Sequence, residues 1–342
     1  MTDGFDLAQL QARLQDAARR FIGLRTIVLK LRLMEGGHAG YTFGFEFASQ
    51  AGSSSRGAIL KLGPPGVERR GAGDIFRQVA LLQALRERGI PVPAILWAEP
   101  GEESLGVPYI VMDKVAGKTH FPLLKYGEVD VSEAESSIWH QGLEALRKLD
   151  SFPALTELGA WEAPRSIDVE FASWEATLRK SPEPAWIEGG LRARDALALR
   201  MPVERRVALV HGDFQSSNLM SSNGTLNAII DWDLAHLGTS GLDAGWLMMW
   251  SDPEYWGSHW QLWSPLSAAA IARQFAGTAD GTSESLGWFH AYAGYRFGAI
   301  ACLNVRLHRN GRRPDLIWEL FAQDIPRLFA RSKSLAEALP IV

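Results

Sequence analysis

Apolar residues in the first third of the chain recur with two different periods. Over residues 5–21, Leu7, Leu10, Leu14 and Ala17-Ala18 fall on one face, with Gln11, Arg13, Gln15 and Asp16 mostly opposite. That spacing predicts an amphipathic helix. From Thr26 the period becomes two: Ile27, Leu29, Leu31 and Leu33 alternate with Val28, Lys30 and Arg32. A half-buried strand is predicted, with the first set on its apolar face. Residues 41–47 alternate in the same way, and residues 57–62, 95–98 and 109–112 add further strands. A helix over residues 74–88, carried by Ile75, Val79, Leu82 and Leu85, lies among them. Later in the chain the helical period dominates, over residues 132–149, 195–199, 245–250, 285–307 and 315–329. Ser132, with Glu135 three residues on, reads as the N-cap of the first of these. Ser181-Pro182-Glu183-Pro184 and Ser251-Asp252-Pro253 read as breaks.

Two short apolar runs, residues 207–210 and 226–230, read as buried strands. Each leads into a polar motif. The first is His211-Gly212-Asp213-Phe214-Gln215-Ser216-Ser217-Asn218, and the second is Asp231-Trp232-Asp233. If the two strands lie side by side, Asp213, Asn218 and Asp231 share one mouth. Phosphoryl transfer needs such a set. One carboxylate, Asp213, orients or deprotonates the attacking hydroxyl, and Asn218 and Asp231 offer hard oxygens that hold magnesium against nucleotide phosphates. The Asp-x-x-x-x-Asn spacing matches the catalytic loop of protein kinases, with Asp231-Trp232-Asp233 where those enzymes carry Asp-Phe-Gly. Asp233 has two readings, a further metal ligand or an organiser of its own loop.

These motifs resemble the aminoglycoside phosphotransferase family, which includes choline, macrolide and fructosamine kinases. The continuations Leu234-Ala235-His236-Leu237-Gly238 and Leu242-Asp243-Ala244-Gly245-Trp246-Leu247 are similar to the branch whose kinase domains are attached to acyl-CoA dehydrogenases. The resemblance implies an α+β, bilobal protein kinase-like fold. A small β-sheet N-lobe with one main helix, residues 1–112, would bind nucleotide. A larger, mostly helical C-lobe, residues 113–342, would carry the catalytic loop and the acceptor-binding helices.

The same resemblance implies ATP and Mg²⁺ as cofactors and assigns roles along the first lobe. The Gly-rich turn with Gly36, Gly37 and His38 would cover the phosphates, its glycines letting backbone N–H groups approach. Lys61 would reach the α- and β-phosphates. Met112 to Val115 would form the hinge that lines the adenine pocket. Where the family places a helix glutamate to pair with the lysine, this chain has Gln78, which can hydrogen-bond but carries no charge. Glu68 and Asp74 are the nearby acids. In the second lobe Arg147 replaces a family histidine, and Asp150 fits as a brace of the catalytic loop. Gly117-Lys118-Thr119 is not a Walker phosphate loop, because the required earlier glycine is Met112.

Composition narrows the partners. The chain has 342 residues, 46% apolar and 22% charged, the profile of a folded chain long enough for two lobes. A net charge of −4 gives no electrostatic footprint for nucleic acid. The single Cys302 cannot form an internal disulfide, which suits a reducing compartment. No apolar run reaches the length of a membrane span, and Met1-Thr2-Asp3-Gly4-Phe5 shows no secretion signal. The expectation is a cytoplasmic enzyme with no membrane partner.

The expected partner is a small-molecule hydroxyl acceptor. Polycationic aminoglycosides call for acidic walls. Residues 240–342 contain nine acidic and nine basic side chains, so no acidic excess is present. Seven tryptophans lie between Trp232 and Trp288, either as core or as an aromatic acceptor wall. An apolar or acyl-CoA-like acceptor fits this balance. An antibiotic (macrolide or aminoglycoside) kinase is the alternative, and a nucleotide-binding pseudokinase without turnover is the reading from another class.

Overall fold

The computed structural model describes residues 6–34, 41–49, 55–63, 74–125, 133–203, 206–262, 264–276, 278 and 281–341. Gly36, Gly37, His38, Glu68 and Ser132, named above, lie outside the described residues, as does Trp263, one of the seven clustered tryptophans. The chain divides into two compact units. The first comprises the chain up to Lys118 together with Met220–Ser222 and Leu226–Leu234, and the rest forms the second.

In the first unit, α1 (Leu7–Phe21) precedes β1 (Thr26–Leu33), β2 (Tyr41–Ser49), β3 (Arg56–Leu62), α2 (Gln78–Glu87), β4 (Ile95–Glu99) and β5 (Tyr109–Asp113). The strands form one antiparallel sheet in the order β1-β2-β3-β5-β4. Asp6 caps α1 by accepting the Ala8 and Gln9 N–H groups, and Arg19 and Arg20 complement the helix dipole in its last turn. Leu10, Leu14, Ala17 and Ala18 are buried. Gln15 ties the helix to β1: its amide donates to the Thr26 carbonyl, and its oxygen accepts from the Val28 N–H.

That junction corrects the expected face of β1. Val28 is 3% exposed, whereas Leu29 and Leu33 are each 38% exposed. The cause is local. Lys30 adopts φ +57°, and the pairing with β2 shifts register between Leu29 and Arg32. A bulge of this kind breaks strict alternation, so the apolar set no longer shares one face.

In the second unit the chain runs through β6 (Leu123–Lys125), α3 (Glu133–Asp150), α4 (Ala154–Leu158), α5 (Ile167–Leu178) and α6 (Pro184–Ala198) before β7 (Ala208–Val210). The chain then contributes a hairpin that belongs mainly to the first unit, β8 (Leu219–Ser222) and β9 (Thr225–Ile229), and returns with β10 (His236–Gly238). The remainder is α7 (Gly241–Trp250), β11 (Trp260–Leu262), α8 (Ala268–Phe275), α9 (Ser283–Arg309), α10 (Ile317–Ala322) and α11 (Ile325–Glu337). The long α9 is the axis of this unit, with α5, α6, α7, α10 and α11 packed on it. Among the described residues no helix is long and apolar enough to cross a membrane.

Two expectations fail here. The strands that lead into the two motifs do not pair with each other: β7 pairs with β10, and β9 pairs with β8. The turn Asn223-Gly224 explains it. Both residues have positive φ, +51° and +72°. Such a two-residue Asn-Gly turn folds β9 back onto its own predecessor. The expected single helix over residues 315–329 is also two helices, α10 and α11. Pro326, in the first turn of α11, cannot supply the N–H that continuation of α10 would need.

Candidate active site

Asp213 lies on the loop that leaves β7, within the second unit. Gly212 before it has φ +85°, a conformation that any side chain would strain. The loop is fastened from below by buried groups. The carboxylate of Asp243, in the first turn of α7, accepts the backbone N–H groups of His211 (2.6 Å) and Gly212 (2.9 Å). Arg296 on α9 donates to the Gly212 carbonyl at 2.8 Å. The His211 ring accepts the Asp213 N–H.

The Asp213 side chain is equally constrained. Its Oδ1 accepts from Gln215 Nε2 (2.8 Å) and Trp246 Nε1 (2.9 Å), and its Oδ2 from Asn218 Nδ2 (3.0 Å). The Asn218 amide nitrogen also donates to the Asp213 carbonyl at 2.8 Å. With its nitrogen so used, Asn218 offers its side-chain oxygen as a hard donor.

Behind this layer stands a second one. The Arg296 guanidinium lies over the Trp246 ring, 4.6 Å from its centroid, and over Trp174 at 5.4 Å. Its Nε is 3.6 Å from Glu170 on α5, and Glu170 also accepts from Trp174 and Arg165. Helices α7 and α9 approach closely enough for this because of glycine. A Cβ on Gly245 would stand 2.3 Å from the Phe289 carbonyl oxygen. Asp150, expected as a brace, accepts from Arg206 at 2.6 Å and so ties α3 to the segment that enters β7.

The first unit holds the other named residues. After β9 the chain turns sharply at Asp231, whose φ is +64°. The turn buries Trp232, whose indole N–H donates to the Ile229 carbonyl. Asp231 itself is exposed. Asp233 meets Lys61 of β3 and Gln78 of α2, each at 2.5 Å from its Oδ1. Lys61 pairs with Thr42 on one side and Ile110 on the other in the sheet. Asp74 caps the 3₁₀ turn at Ile75–Arg77 by accepting the Phe76 N–H. Met112 is a buried β5 residue paired with Ile59 and Ile95, and Val115 is half-buried just beyond that strand.

The sequence profile of the phosphotransferase enzyme family, APH, matches residues 40–289. The chain belongs to that family. The family is one of phosphotransferase enzymes. This phosphotransferase is 28% identical over 192 residues to mouse "Acyl-CoA dehydrogenase family member 10", covering 54% of this chain and 17% of that protein. It is 26% identical over 251 residues to Arabidopsis thaliana "Probable acyl-CoA dehydrogenase IBR3", covering 68% of this chain and 30% of that protein. The phosphotransferase therefore spans less than a third of the length of either relative. A crystal structure of a "putative aminoglycoside phosphotransferase" from Ralstonia eutropha JMP134 shares the fold, with a TM-score of 0.71 at 16% identity over 95% of this chain and 98% of that one.

Electrostatics in the second unit of the phosphotransferase follow from burial against pairing. Burial pushes the Asp243 carboxyl up, although the His211 ring, its two N–H donors and Arg296 oppose the shift. Glu170 goes the other way. Burial raises it, but the charges of Arg296 and His236, the Trp174 bond and Arg165 together hold it below the ordinary glutamate value.

Several groups around Asp213 have no signal in the motif. Trp246 is 33 residues from Asp213, Arg296 is 84 from Gly212 and Glu170 is 126 from Arg296 along the chain, and packing of α5, α7 and α9 brings them together. The cue that exists is Asp243, a lone acid in the otherwise apolar α7. Of the seven clustered tryptophans, the six that are described are all buried in core. They do not form an open wall.

Proposed function

We propose that this phosphotransferase moves the γ-phosphoryl group of ATP, bound with Mg²⁺, onto a hydroxyl of a small molecule that is apolar or acyl-CoA-like. The observation that carries the reading is the Asp213 carboxylate, aimed by three N–H donors from Gln215, Trp246 and Asn218. A carboxylate so fixed can orient a hydroxyl and accept its proton as the oxygen attacks phosphorus. Most of the remaining catalysis is positioning and charge neutralisation.

Asn218 and Asp231 each carry a hard oxygen of the kind that Mg²⁺ takes, and these two residues would hold the ion. When bound, the ion supplies positive charge to the phosphates. The left-handed backbone at Asp231 is a strained conformation for a non-glycine residue, of the kind that collects at functional sites. Lys61 steadies the α- and β-phosphates, and the backbone from Met112 to Val115 meets the base.

For the acceptor, the balance of nine acidic and nine basic residues over 240–342 disfavours a polycation. The aromatic belt of Trp246, Trp250 and Trp256 is buried and packs beneath Asp213, so it backs the catalytic loop and is not itself an acceptor wall. An acceptor that needs no acidic wall suits a macrolide as well as an apolar alcohol, so an antibiotic kinase is the second reading. The test is ADP release from Mg-ATP with hydroxyacyl-CoAs, apolar alcohols, macrolides and aminoglycosides as acceptors. Turnover with the first two classes is expected. Turnover confined to an antibiotic class assigns the second reading, and Mg-ATP binding without transfer to any acceptor assigns the pseudokinase.

A further inference from the structure

Asp233 has no part in the mechanism above, yet it is held from two sides. Its Oδ1 accepts from both Lys61 and Gln78. The site is nearly closed to solvent: the Lys61 and Asp233 side chains are 14% and 12% exposed, and Gln78 is 3% exposed. Because both donors reach the same oxygen, the end of the residue-78 side chain lies one hydrogen-bonded atom away from the Lys61 ammonium. Asp74 is occupied elsewhere, capping its own turn.

Charge decides what this arrangement permits. One ammonium, one carboxylate and one neutral amide form a balanced trio. A glutamate at 78 beside Asp233 would set two carboxylates on one shielded ammonium, and like charges at that separation cannot both ionise without penalty. A buried ammonium left with no carboxylate is worse still.

We infer that Asp233 is the positioning acid of Lys61, and that residue 78 is neutral because the carboxylate that pairs with Lys61 sits on the loop after β9 and not on helix α2. Asp233 acts through Lys61, holding its ammonium where nucleotide phosphates meet it, and Gln78 holds Asp233. The inference rests on the nucleotide-binding reading of Lys61.

The experiment is a charge-relocation cycle read by Mg-ADP binding in calorimetry, which needs no acceptor. Asp233→Asn weakens Mg-ADP binding by about ten- to a hundred-fold, the value of one hydrogen bond to a charged group. Gln78→Glu alone also weakens it. The double variant Gln78→Glu/Asp233→Asn, with the carboxylate transferred to the helix, binds more tightly than either single variant. This sign reversal is what a merely structural role would not produce. The double variant decides the matter even if Asp233→Asn alone does not fold, because recovered folding and binding are then expected together. A double variant no better than Asp233→Asn, or an Asp233→Asn protein that binds as wild type, overturns the inference while leaving the kinase reading intact. Wild-type protein that does not bind Mg-ADP overturns the kinase reading and this inference with it.

Discussion

The indole N–H of Trp246 donates to Oδ1 of Asp213 across 2.9 Å, although 33 residues separate the two in the chain. Asp213 leaves β7 on a turn that glycine makes possible, at Gly212, and Trp246 sits on α7 beneath the Arg296 guanidinium. The carboxylate that the mechanism uses is therefore aimed by a residue whose own ring is clamped by a buried cation.

Trp246→Phe keeps the ring and removes the donor. One hydrogen bond to a charged group is worth about 1.5–3 kcal/mol, so kcat is expected to fall by about ten- to a hundred-fold. Mg-ADP affinity, measured by calorimetry, is expected to change far less, because nothing in the first unit's cluster is touched. A parallel loss of both would show that Trp246 acts on the fold and not on Asp213.

Gly245→Ala tests the helix contact beneath this layer. The new methyl group would meet the Phe289 carbonyl at 2.3 Å and push α7 off α9. Overpacking of this kind costs about 1–3 kcal/mol. Thermal unfolding should show a lowered Tm, and kcat should fall as Trp246 and Arg296 separate. An unchanged Tm would mean that the two helices have slack at this point.

Glu170 makes the stability of the second unit depend on acid. Its folded pKa lies below the ordinary glutamate value of about 4.3, because Arg296 and its other partners outweigh burial. Its contribution is thus fully present above that value and is lost as pH falls through the lower, folded one. Glu170→Gln should have a lower Tm than wild type at pH 7, and the gap should shrink below about pH 4.3. A gap that stays constant down to acid unfolding would remove Glu170 from the linkage.

Much of the fold is legible in the sequence where a period runs unbroken. Helix α1 and strand β2 follow from spacing, and β3, β5 and the long α9 fall where apolar runs and composition place them. The inward face of β1 does not, because one left-handed residue, Lys30, resets the alternation. The pairing of the motif strands is misjudged from the apolar runs alone, although Asn223-Gly224 carries the cue for the β8–β9 hairpin. The break between α10 and α11 is likewise written in Pro326. For the candidate site, the residues with reactive oxygens stand in short motifs and can be read directly. Their partners cannot. Trp246, Arg296 and Glu170 look like ordinary members of helices, and their use emerges only when α5, α7 and α9 pack. The tryptophan cluster shows the opposite failing, since composition suggests a wall and burial shows a core.

The central claim is that the Asp213 carboxylate serves phosphoryl transfer to a hydroxyl. The direct measurement is acceptor-dependent ADP release from Mg-ATP by wild-type protein and by Asp213→Asn, with Mg-ADP affinity and Tm recorded for both. The account predicts that the variant folds and binds Mg-ADP much as wild type does, while kcat falls by about 10²- to 10⁴-fold, the range for loss of a positioned general base. Near-normal turnover by Asp213→Asn on the true acceptor would contradict it.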